Sequence, residues 1–210
     1  MKSKIVVTGG RGRFGSILKN IKTNFKIYYP SKKELDITKP KKIKDYLKKV
    51  KPKYVIHLAG LSRPMKLHEK YISKSISLNI IGTSYLTIAC SDLKIKLIYL
   101  STGYVYRGKE GNYKENDPVL PWNNYGWSKL GAESAVQMYK NSLIIRLCMT
   151  EKPFVHKYAF KDMITNFMFH DEVVKIFPKL INKRGIINVG GKTLSPYNFA
   201  KKYNKNIKKM

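Results

Sequence analysis

The stretch KIVVTGGRGRFG, residues 4–15, joins a β-branched apolar run to a cluster of glycines. Gly10, Gly12 and Gly15 fit the pattern G-x-G-x-x-G, and Gly9 adds a second spacing of three. The apolar run predicts a strand, and SILKNI (16–21), which directly follows the last glycine, predicts a helix. A glycine pattern between a strand and a helix indicates dinucleotide binding, because glycines let the backbone approach a diphosphate at the helix N-terminus. The alternative, an ordinary strand–helix turn, rarely needs so many glycines.

Strands and helices alternate along the rest of the chain. Apolar runs predict strands at 4–10, 24–29, 53–60, 96–106, 141–147 and 185–191. Helical patterns cover 41–50, 71–93 and the segment after YGWSK (125–129). Continuous apolar runs suit strands buried on both faces of a parallel sheet, so the sequence predicts an α/β, doubly wound Rossmann fold.

The predicted core and the remainder differ in size. Residues 1–146 would form the dinucleotide-binding core, and residues 147–210 a much reduced substrate-binding part with the last strand and helix, as one compact unit. Ser195 and Pro196 fit the cap and first position of that helix.

The charge balance is strongly basic. The 210 residues include 42 Lys and Arg against 13 Asp and Glu, a formal charge of +29. A nucleic-acid surface is one explanation, but the lysines are spread along the whole chain and form no recognition motif. The bias of an AT-rich coding sequence explains them better, and we expect no nucleic-acid partner. The positive field would attract anionic ligands such as phosphates.

The sequence contains no recognisable targeting sequence, membrane span or metal-binding motif. No apolar run reaches eighteen residues and no signal peptide is recognisable, which predicts a cytoplasmic protein without a membrane contact. Cys90 and Cys148 lie in apolar stretches, as reduced thiols do. The histidines lack metal-ligand spacing, so we expect no metal, and His57, within an apolar run, predicts a hydrogen-bonded core histidine.

The segment YGWSK places Tyr125 and Lys129 one turn apart on one face of a predicted helix. A free tyrosine titrates near pH ~10. A neighbouring ammonium would lower that pKa and make Tyr125 a proton donor. The helical period places an apolar face at Ala132, Ala135, Val136 and Tyr139, and a solvent face at Glu133, Gln137 and Lys140.

The end of the second strand, YYPSKK, lacks the early acid that usually binds the ribose 2′-hydroxyl of NAD. The first acid after it is Glu34. Ser31 and Lys32, with Arg11 and Arg13 of the glycine loop, could instead hold a 2′-phosphate. The sequence therefore favours NADP, with NAD as the alternative.

Six segments in order over residues 5–146 resemble motifs of the extended short-chain dehydrogenase/reductase family. They are TGGRGRFG, ELDIT (34–38), HLAG (57–60), NIIGT (79–83), YLSTGYVY (99–106) and YGWSK. STGYVY and residues 113–133 look most like the sugar-nucleotide reductases, such as the dTDP-4-dehydrorhamnose reductase and GDP-fucose synthase groups. The resemblance implies reduction of a keto group on a nucleotide-linked sugar by NAD(P)H.

The resemblance also implies roles for individual residues. Thr102 would bind the substrate carbonyl oxygen, Tyr125 would donate a proton to it, and Lys129 would hold the nicotinamide ribose. Tyr104 and Asn123 are the candidate substrate contacts, and Arg63, Lys114 and Arg146 are further polar groups near motif ends. The expected cofactor contacts, besides Tyr125 and Lys129, are Gly9, Arg11, Gly12, Arg13, Phe14, Gly15, Ser31, Lys32, Asp36, Ile37, Leu58, Ala59, Gly60 and Asn79.

The sequence departs from these relatives in two ways. Gly103 and Tyr104 stand where dehydratases carry an Asp–Glu pair, which argues against dehydration. About twenty residues replace the usual long substrate-binding excursion, which predicts a shallow, open cleft and a mobile stretch around 151–168. Such a cleft would reduce carbonyls broadly or need a partner chain to complete it. A sugar-nucleotide epimerase using the same residues, and a non-catalytic cofactor-binding or interaction protein, remain alternatives.

The helix at 71–93 has two apolar stripes, and one sheet face can cover only one of them. The stripes are Ile72, Ile76 and Ile80, and Leu78, Ile81, Tyr85 and Ile88. We therefore expect a homodimer that pairs through helices 71–93 and 128–140, as members of the family do. The alternative is an intrachain segment that covers the second stripe.

Overall fold

A computed structural model describes residues 2–21 and 23–210, and within it a six-stranded parallel sheet forms the centre of the molecule. The strands are β1 (Lys4–Thr8), β2 (Lys26–Tyr28), β3 (Tyr54–His57), β4 (Lys96–Leu100), β5 (Ser142–Leu147), β6 (Met149–Thr150), β7 (Tyr158–Ala159), β8 (Met168–Phe169), β9 (Gly185–Val189) and β10 (Lys208–Lys209). The sheet order is β2-β1-β3-β4-β5-β9. This confirms the predicted doubly wound α/β fold.

Eight α-helices connect and cover the strands in the described part of the chain. They are α1 (Arg13–Leu18), α2 (Pro40–Val50), α3 (Lys66–Lys70), α4 (Ile72–Ser75), α5 (Gly82–Asp92), α6 (Asn124–Gln137), α7 (His170–Leu180) and α8 (Pro196–Lys201). A π-helical segment, Ile76–Ile81, joins α4 to α5, so the predicted helix at 71–93 is continuous but irregular. The predicted strand at 96–106 ends at Leu100, because Thr102 accepts a hydrogen bond from the Tyr104 amide and starts a 3₁₀ turn.

Apolar side chains alternate between the two faces of the sheet. Val6 packs in the cluster that includes residues of α2, α5 and α6, whereas Ile5 and Val7 pack in the cluster that includes residues of α1 and α7. Burial on both faces explains why the strands read as continuous apolar runs.

The chain reverses direction across the sheet at β1. It runs from β1 to β2 on one side and then returns to β3 on the other side of β1. Ligands of open α/β sheets bind outside the carboxyl ends of the strands at such a switch point. The segments that follow β1, β3 and β4 therefore meet at one edge of the sheet.

The C-terminal part forms its own apolar cluster. Phe154 and Phe169 are buried there, and the rings of Phe169 and Phe199 lie 4.8 Å apart. Strand β7 pairs with β10, and Thr165 forms a bridge with Leu194. Within the stretch 151–168, which was predicted to be mobile, Phe154 and Ala159 are buried in this cluster while most other residues are exposed. Its mobility stays a prediction.

The helical pattern of α6 predicted the exposure of one residue wrongly. Glu133, predicted to face solvent, is 0% exposed. Its carboxylate accepts hydrogen bonds from Nη2 of Arg146 at 2.7 Å and from Nε of the same side chain at 3.1 Å. Nη1 of Arg146 donates to the Tyr106 hydroxyl at 2.7 Å and to the Glu115 carbonyl at 3.1 Å. This pair anchors α6 on β5, so Arg146 is a structural residue and not a substrate contact.

The predicted apolar stripes are both partly exposed. Ile72 and Ile88 are 55% and 57% exposed, and Ile76 and Ile81 are also exposed. In contrast, Leu78 and Tyr85 pack against the main core. The packing of the single chain thus leaves an apolar surface along α4, the π-helical segment and α5.

Substitution of Glu133 by Gln should strongly destabilise the protein. The variant keeps the side-chain volume but leaves the buried Arg146 charge uncompensated, which costs about 3–5 kcal/mol. Urea unfolding measures the loss. Gln137→Ala, an exposed change on the same helix, should shift the free energy by less than about 0.5 kcal/mol, and an unchanged midpoint for Glu133→Gln would contradict the structural role of the pair.

Candidate active site

A cleft of about 1030 Å³ opens at the carboxyl edge of the sheet. This volume lies at the upper end of the roughly 300–1,000 Å³ typical of ligand pockets, but it includes the space over the glycine loop as well as the space beside Tyr125. The shallow, open substrate cleft therefore stays a prediction. The C-terminal part supplies one wall, because the chain after β5 runs along the cleft before it folds back. That wall consists of Leu147, Cys148, Met149, Thr150, Phe154, Val155, His156, Phe167 and His170.

The glycine loop forms the opposite part of the cleft. Gly9 has φ of +70°, and a Cβ on it would lie 2.6 Å from the Ala59 amide nitrogen. A Cβ on Gly15 would lie 2.6 Å from Gly10 Cα. The loop is therefore packed tightly against β3 and its own turn, and its cradle fits the diphosphate of a dinucleotide. Of the predicted cofactor contacts, the structure brings Gly9, Gly12, Arg13, Phe14, Gly15, Leu58, Ala59 and Gly60 together in the cleft.

Four predicted cofactor contacts lie beyond β2, outside the cleft lining: Ser31, Lys32, Asp36 and Ile37. The Ser31 amide and hydroxyl donate to the Glu34 carboxylate at 2.7 and 2.8 Å. These bonds, with the charge of Arg11, hold the pKa of Glu34 below its ordinary value. Arg11 therefore lies near the end of β2, whereas Arg13 turns into the cleft, and the two arginines do not act on the same group.

Asn79 supports the cleft from behind and does not line it. Its amide nitrogen donates to the Leu61 carbonyl at 2.9 Å and to the Ser128 hydroxyl at 2.8 Å, and its oxygen accepts from the Leu61 amide at 2.7 Å. Ser128 in turn donates to the Tyr125 carbonyl. Asn79 thus ties the loop after β3 to the start of α6.

Thr102, Tyr125 and Lys129 all line the cleft, as the resemblance implied. Burial and the nearby Cys148 raise the pKa of Tyr125 above its ordinary value, and the Thr102 hydroxyl opposes this effect. The predicted lowering of the Tyr125 pKa by Lys129 is therefore wrong for this structure: burial is the largest cause acting on that pKa, and Lys129 is not among its causes. The ring of Tyr125 packs edge-on against His68 at 5.1 Å, a contact that the sequence did not suggest.

Lys129 is itself strongly perturbed. Burial lowers its pKa to about 7, although the Glu133 carboxylate acts in the opposite direction. Its Nζ lies 4.1 Å from the centroid of the Tyr99 ring. Near neutral pH the side chain therefore exists in both protonation states, which suits a group that passes protons.

His57 is a hydrogen-bonded core histidine, as predicted. The Thr83 hydroxyl donates to the Asn79 carbonyl, so it accepts from His57 Nε2 at 2.9 Å, and Nδ1 accepts from the Thr8 hydroxyl at 2.7 Å. Burial and then the Lys129 charge lower the pKa of His57 to about 3. The imidazole is neutral and links β1, β3 and α5.

The two predicted substrate contacts differ in position. Tyr104 lines the cleft with its ring 6.1 Å from that of Tyr125 and 5.7 Å from that of Trp122. Asn123 instead caps α6, because its side-chain oxygen accepts from the Gly126 amide at 2.7 Å, and it does not line the cleft. Among the described residues, no cluster of His, Cys, Asp and Glu could hold a metal ion, and no helix is long and apolar enough to cross a membrane.

The strand order, the switch point at β1 and the glycine loop define a Rossmann-type α/β protein, and its motifs are those of an extended short-chain dehydrogenase/reductase. The family model described as "RmlD substrate binding domain" matches residues 3–174, and the chain belongs to this family.

Known proteins similar to this chain include reductases and one protein of a different kind. A dTDP-4-dehydrorhamnose reductase of Aggregatibacter actinomycetemcomitans is 29% identical over 92% of this chain and 64% of its own length. The methionine adenosyltransferase 2 subunit beta of Danio rerio is 28% identical over 63% of this chain and 43% of its own length. The structure of dTDP-4-dehydrorhamnose reductase from Bacillus anthracis str. Ames in complex with NADP superposes with a TM-score of 0.91 at 25% identity, covering 100% of this chain and 85% of that one.

The chain spans less than two thirds of the length of these curated relatives.

Lys129 should make the stability of the protein depend on pH. Its pKa is about 7 in the fold and about 10.4 in an unfolded chain. Between these values the unfolded state binds a proton that the folded state lacks, so stability rises with pH across this window. Lys129→Met should remove this rise, measured by urea unfolding at pH 6.5 and 9.5, while exposed Lys140→Met keeps it. Equal pH profiles for wild type and Lys129→Met would show that Lys129 titrates normally.

Proposed function

We propose that the protein is an NAD(P)-dependent reductase that acts on a keto group of a nucleotide-linked sugar. The observation that carries this proposal is the meeting of Thr102, Tyr125 and Lys129 in one cleft with the glycine loop. The reductases among its relatives support the substrate class.

The protonation states in the cleft suit reduction. The raised pKa of Tyr125 keeps its hydroxyl protonated at neutral pH, which is the form that donates a proton to a carbonyl oxygen. The Thr102 hydroxyl holds the same oxygen, and Lys129 can return a proton towards Tyr125. When bound, the nicotinamide cofactor supplies hydride to the carbonyl carbon.

We propose NADP as the cofactor, with NAD possible. Arg11, Ser31 and Lys32 lie at the end of β2, where a 2′-phosphate would need cations and donors. The Glu34 carboxylate occupies the Ser31 donors in this structure, but Glu34 is exposed and can turn away. The NADP complex of the Bacillus anthracis relative supports the same choice.

A non-catalytic role is the second candidate, and one observation favours it. A relative that is 28% identical over 63% of this chain is named as a subunit of methionine adenosyltransferase, not as a reductase. The chemistry of Tyr125 separates the two candidates, because a non-catalytic subunit has no need of a tyrosine that donates protons.

Tyr125→Phe should fold and bind NADPH yet lose activity about 10²–10⁴-fold, the usual contribution of a general acid. The assay follows NADPH oxidation with dTDP-, GDP- and UDP-linked 4-keto sugars, and NADH should serve less well. Tyr158→Phe, an exposed change of the same kind, is the control.

The outcomes of this assay discriminate the candidates. A wild-type rate for Tyr125→Phe would refute the catalytic assignment. Tight NADPH binding without turnover of any keto sugar by the wild type would favour the non-catalytic role, and a tightly copurifying cofactor with epimerised product would favour an epimerase.

We also propose that a second copy of the chain covers the exposed apolar surface on α4, the π-helical segment and α5. Trp127 of α6 and Met138 directly after it are also exposed apolar side chains. Residues 1–146 and 147–210 would then act as core and substrate wall within each copy.

Light scattering at about 50 μM should show a dimer, since apolar patches of this kind are buried in stable assemblies. Ile88→Lys should give monomers, because it introduces a charge at the centre of the contact. The control, Ile164→Lys, changes an equally exposed isoleucine in the C-terminal part and should leave the dimer intact. A monomeric wild type would count against the pairing.

A further inference from the structure

Three charged side chains from distant parts of the chain meet at the border of the cleft. Nη1 of Arg13, at the start of α1, donates to one oxygen of the Glu151 carboxylate at 3.2 Å. Nη1 of Arg63, in the loop after β3, donates to the other oxygen at 3.0 Å. Glu151 follows β6, so its carboxylate connects the glycine loop, the loop after β3 and the C-terminal wall.

The carboxylate is held in an otherwise positive environment. The described residues that line the cleft include Arg13, Arg63 and Lys129 but no Asp or Glu. Each guanidinium uses one of its five N–H donors on Glu151, which leaves further donors available on both arginines. Two arginines 50 residues apart in sequence therefore share one monovalent anion in a cleft that fits a dinucleotide.

A second cavity lies behind the carboxylate. Its volume is about 440 Å³, and its lining includes Ser16, Lys152 and Glu151 itself. Arg13 and His170 line both cavities, so the contact between Arg13 and Glu151 stands at the boundary of the two. The Glu151 side chain, if released by the arginines, has space in this second cavity, whose lining also includes a cation, Lys152, and an acid, Asp171.

From this arrangement we propose that Arg13 and Arg63 bind a diphosphate ester of the ligand, and that Glu151 occupies this arginine pair as an internal competitor. Binding would exchange the carboxylate for the diphosphate, and Glu151 would turn towards the second cavity. The proposal rests on the proposed function for the identity of the ligand, because both the dinucleotide and the nucleotide-linked sugar carry a diphosphate.

Charge and geometry favour the exchange. A diphosphate carries more negative charge than a carboxylate, and guanidinium groups bind phosphate oxygens with short, charge-assisted hydrogen bonds. Because Glu151 must first give up two such bonds, the affinity for the diphosphate is lower than the arginines alone would provide. Glu151 would thus select for ligands with enough charge to displace it.

Glu151→Gln tests the competition, since it keeps the shape of the side chain and removes its charge. The dissociation constants for NADPH and for inorganic pyrophosphate are measured by fluorescence and calorimetry. Glu151→Gln should bind the displacing ligand about tenfold more tightly, the scale of one charge-assisted hydrogen bond. Asp162→Asn removes the same charge from an exposed site outside the cleft and should change affinity by less than about twofold.

Two further experiments identify which ligand supplies the diphosphate and test whether Arg63 is the group for which Glu151 competes. Tighter binding of NADPH assigns the pair to the cofactor, whereas tighter binding of thymidine diphosphate to NADPH-saturated protein assigns it to the substrate. Arg63→Gln should weaken binding of the same ligand in the wild type and should remove most of the gain when added to Glu151→Gln.

The results separate this proposal from the proposed function. Weaker binding of every probe by Glu151→Gln, or no more change than Asp162→Asn gives, would show that Glu151 only orients the arginines and would overturn the competition. A gain in pyrophosphate affinity in a protein that neither turns over keto sugars nor binds NADPH would retain the anion site and refute the reductase. Circular dichroism and the urea midpoint check that each variant is folded.

Discussion

The ion pair between Glu133 and Arg146 is the interaction on which the geometry of the cleft depends. Helix α6 carries Tyr125 and Lys129 in its first turns, and Glu133 lies one turn beyond Lys129 on the same helix. By anchoring α6 on β5, the pair fixes how far the two cleft residues project over the sheet edge. The same carboxylate opposes the fall in the Lys129 pKa, so it acts on both the position and the charge of that side chain.

The sheet and the glycine loop were predictable because they depend on local sequence. A strand buried on both faces reads as an apolar run, and the close approach of Gly9 to Ala59 requires a residue without a side chain. Glu133 was misplaced because the helical period assigns polar residues to solvent, while its partner lies on a different element. The contacts of Glu151 with Arg13 and Arg63 span 138 and 88 residues, and no local pattern signals them. The pKa of Tyr125 was misjudged for a related reason: spacing on a helix gives proximity but not burial.

Acidic residues are scarce in this chain; two of them bind groups that would otherwise be available to an anionic ligand, and a third pairs with a buried arginine. Glu34 accepts from Ser31 at the end of β2, Glu133 neutralises a buried arginine, and Glu151 bridges two arginines at the cleft. A lysine excess that arose from coding composition would be spread evenly, and it requires no such arrangement. The positions of Glu34 and Glu151 are therefore better evidence for an anionic ligand than the net charge of +29.

The short C-terminal part, residues 147–210, contributes one wall of the cleft and so affects which chemistry the cleft can support. Residues 147–210 supply α7 and β9 to the main fold and still build a wall, because the cluster of Phe154, Phe169 and Phe199 holds the connecting segments together. The wall begins directly after β5, and its residues line the same cleft as Tyr125 and Thr102. A chain that kept only a cofactor-binding role would not need a packed wall at that place. A keto group held against Tyr125 does need one, since exclusion of water strengthens every hydrogen bond made to its oxygen.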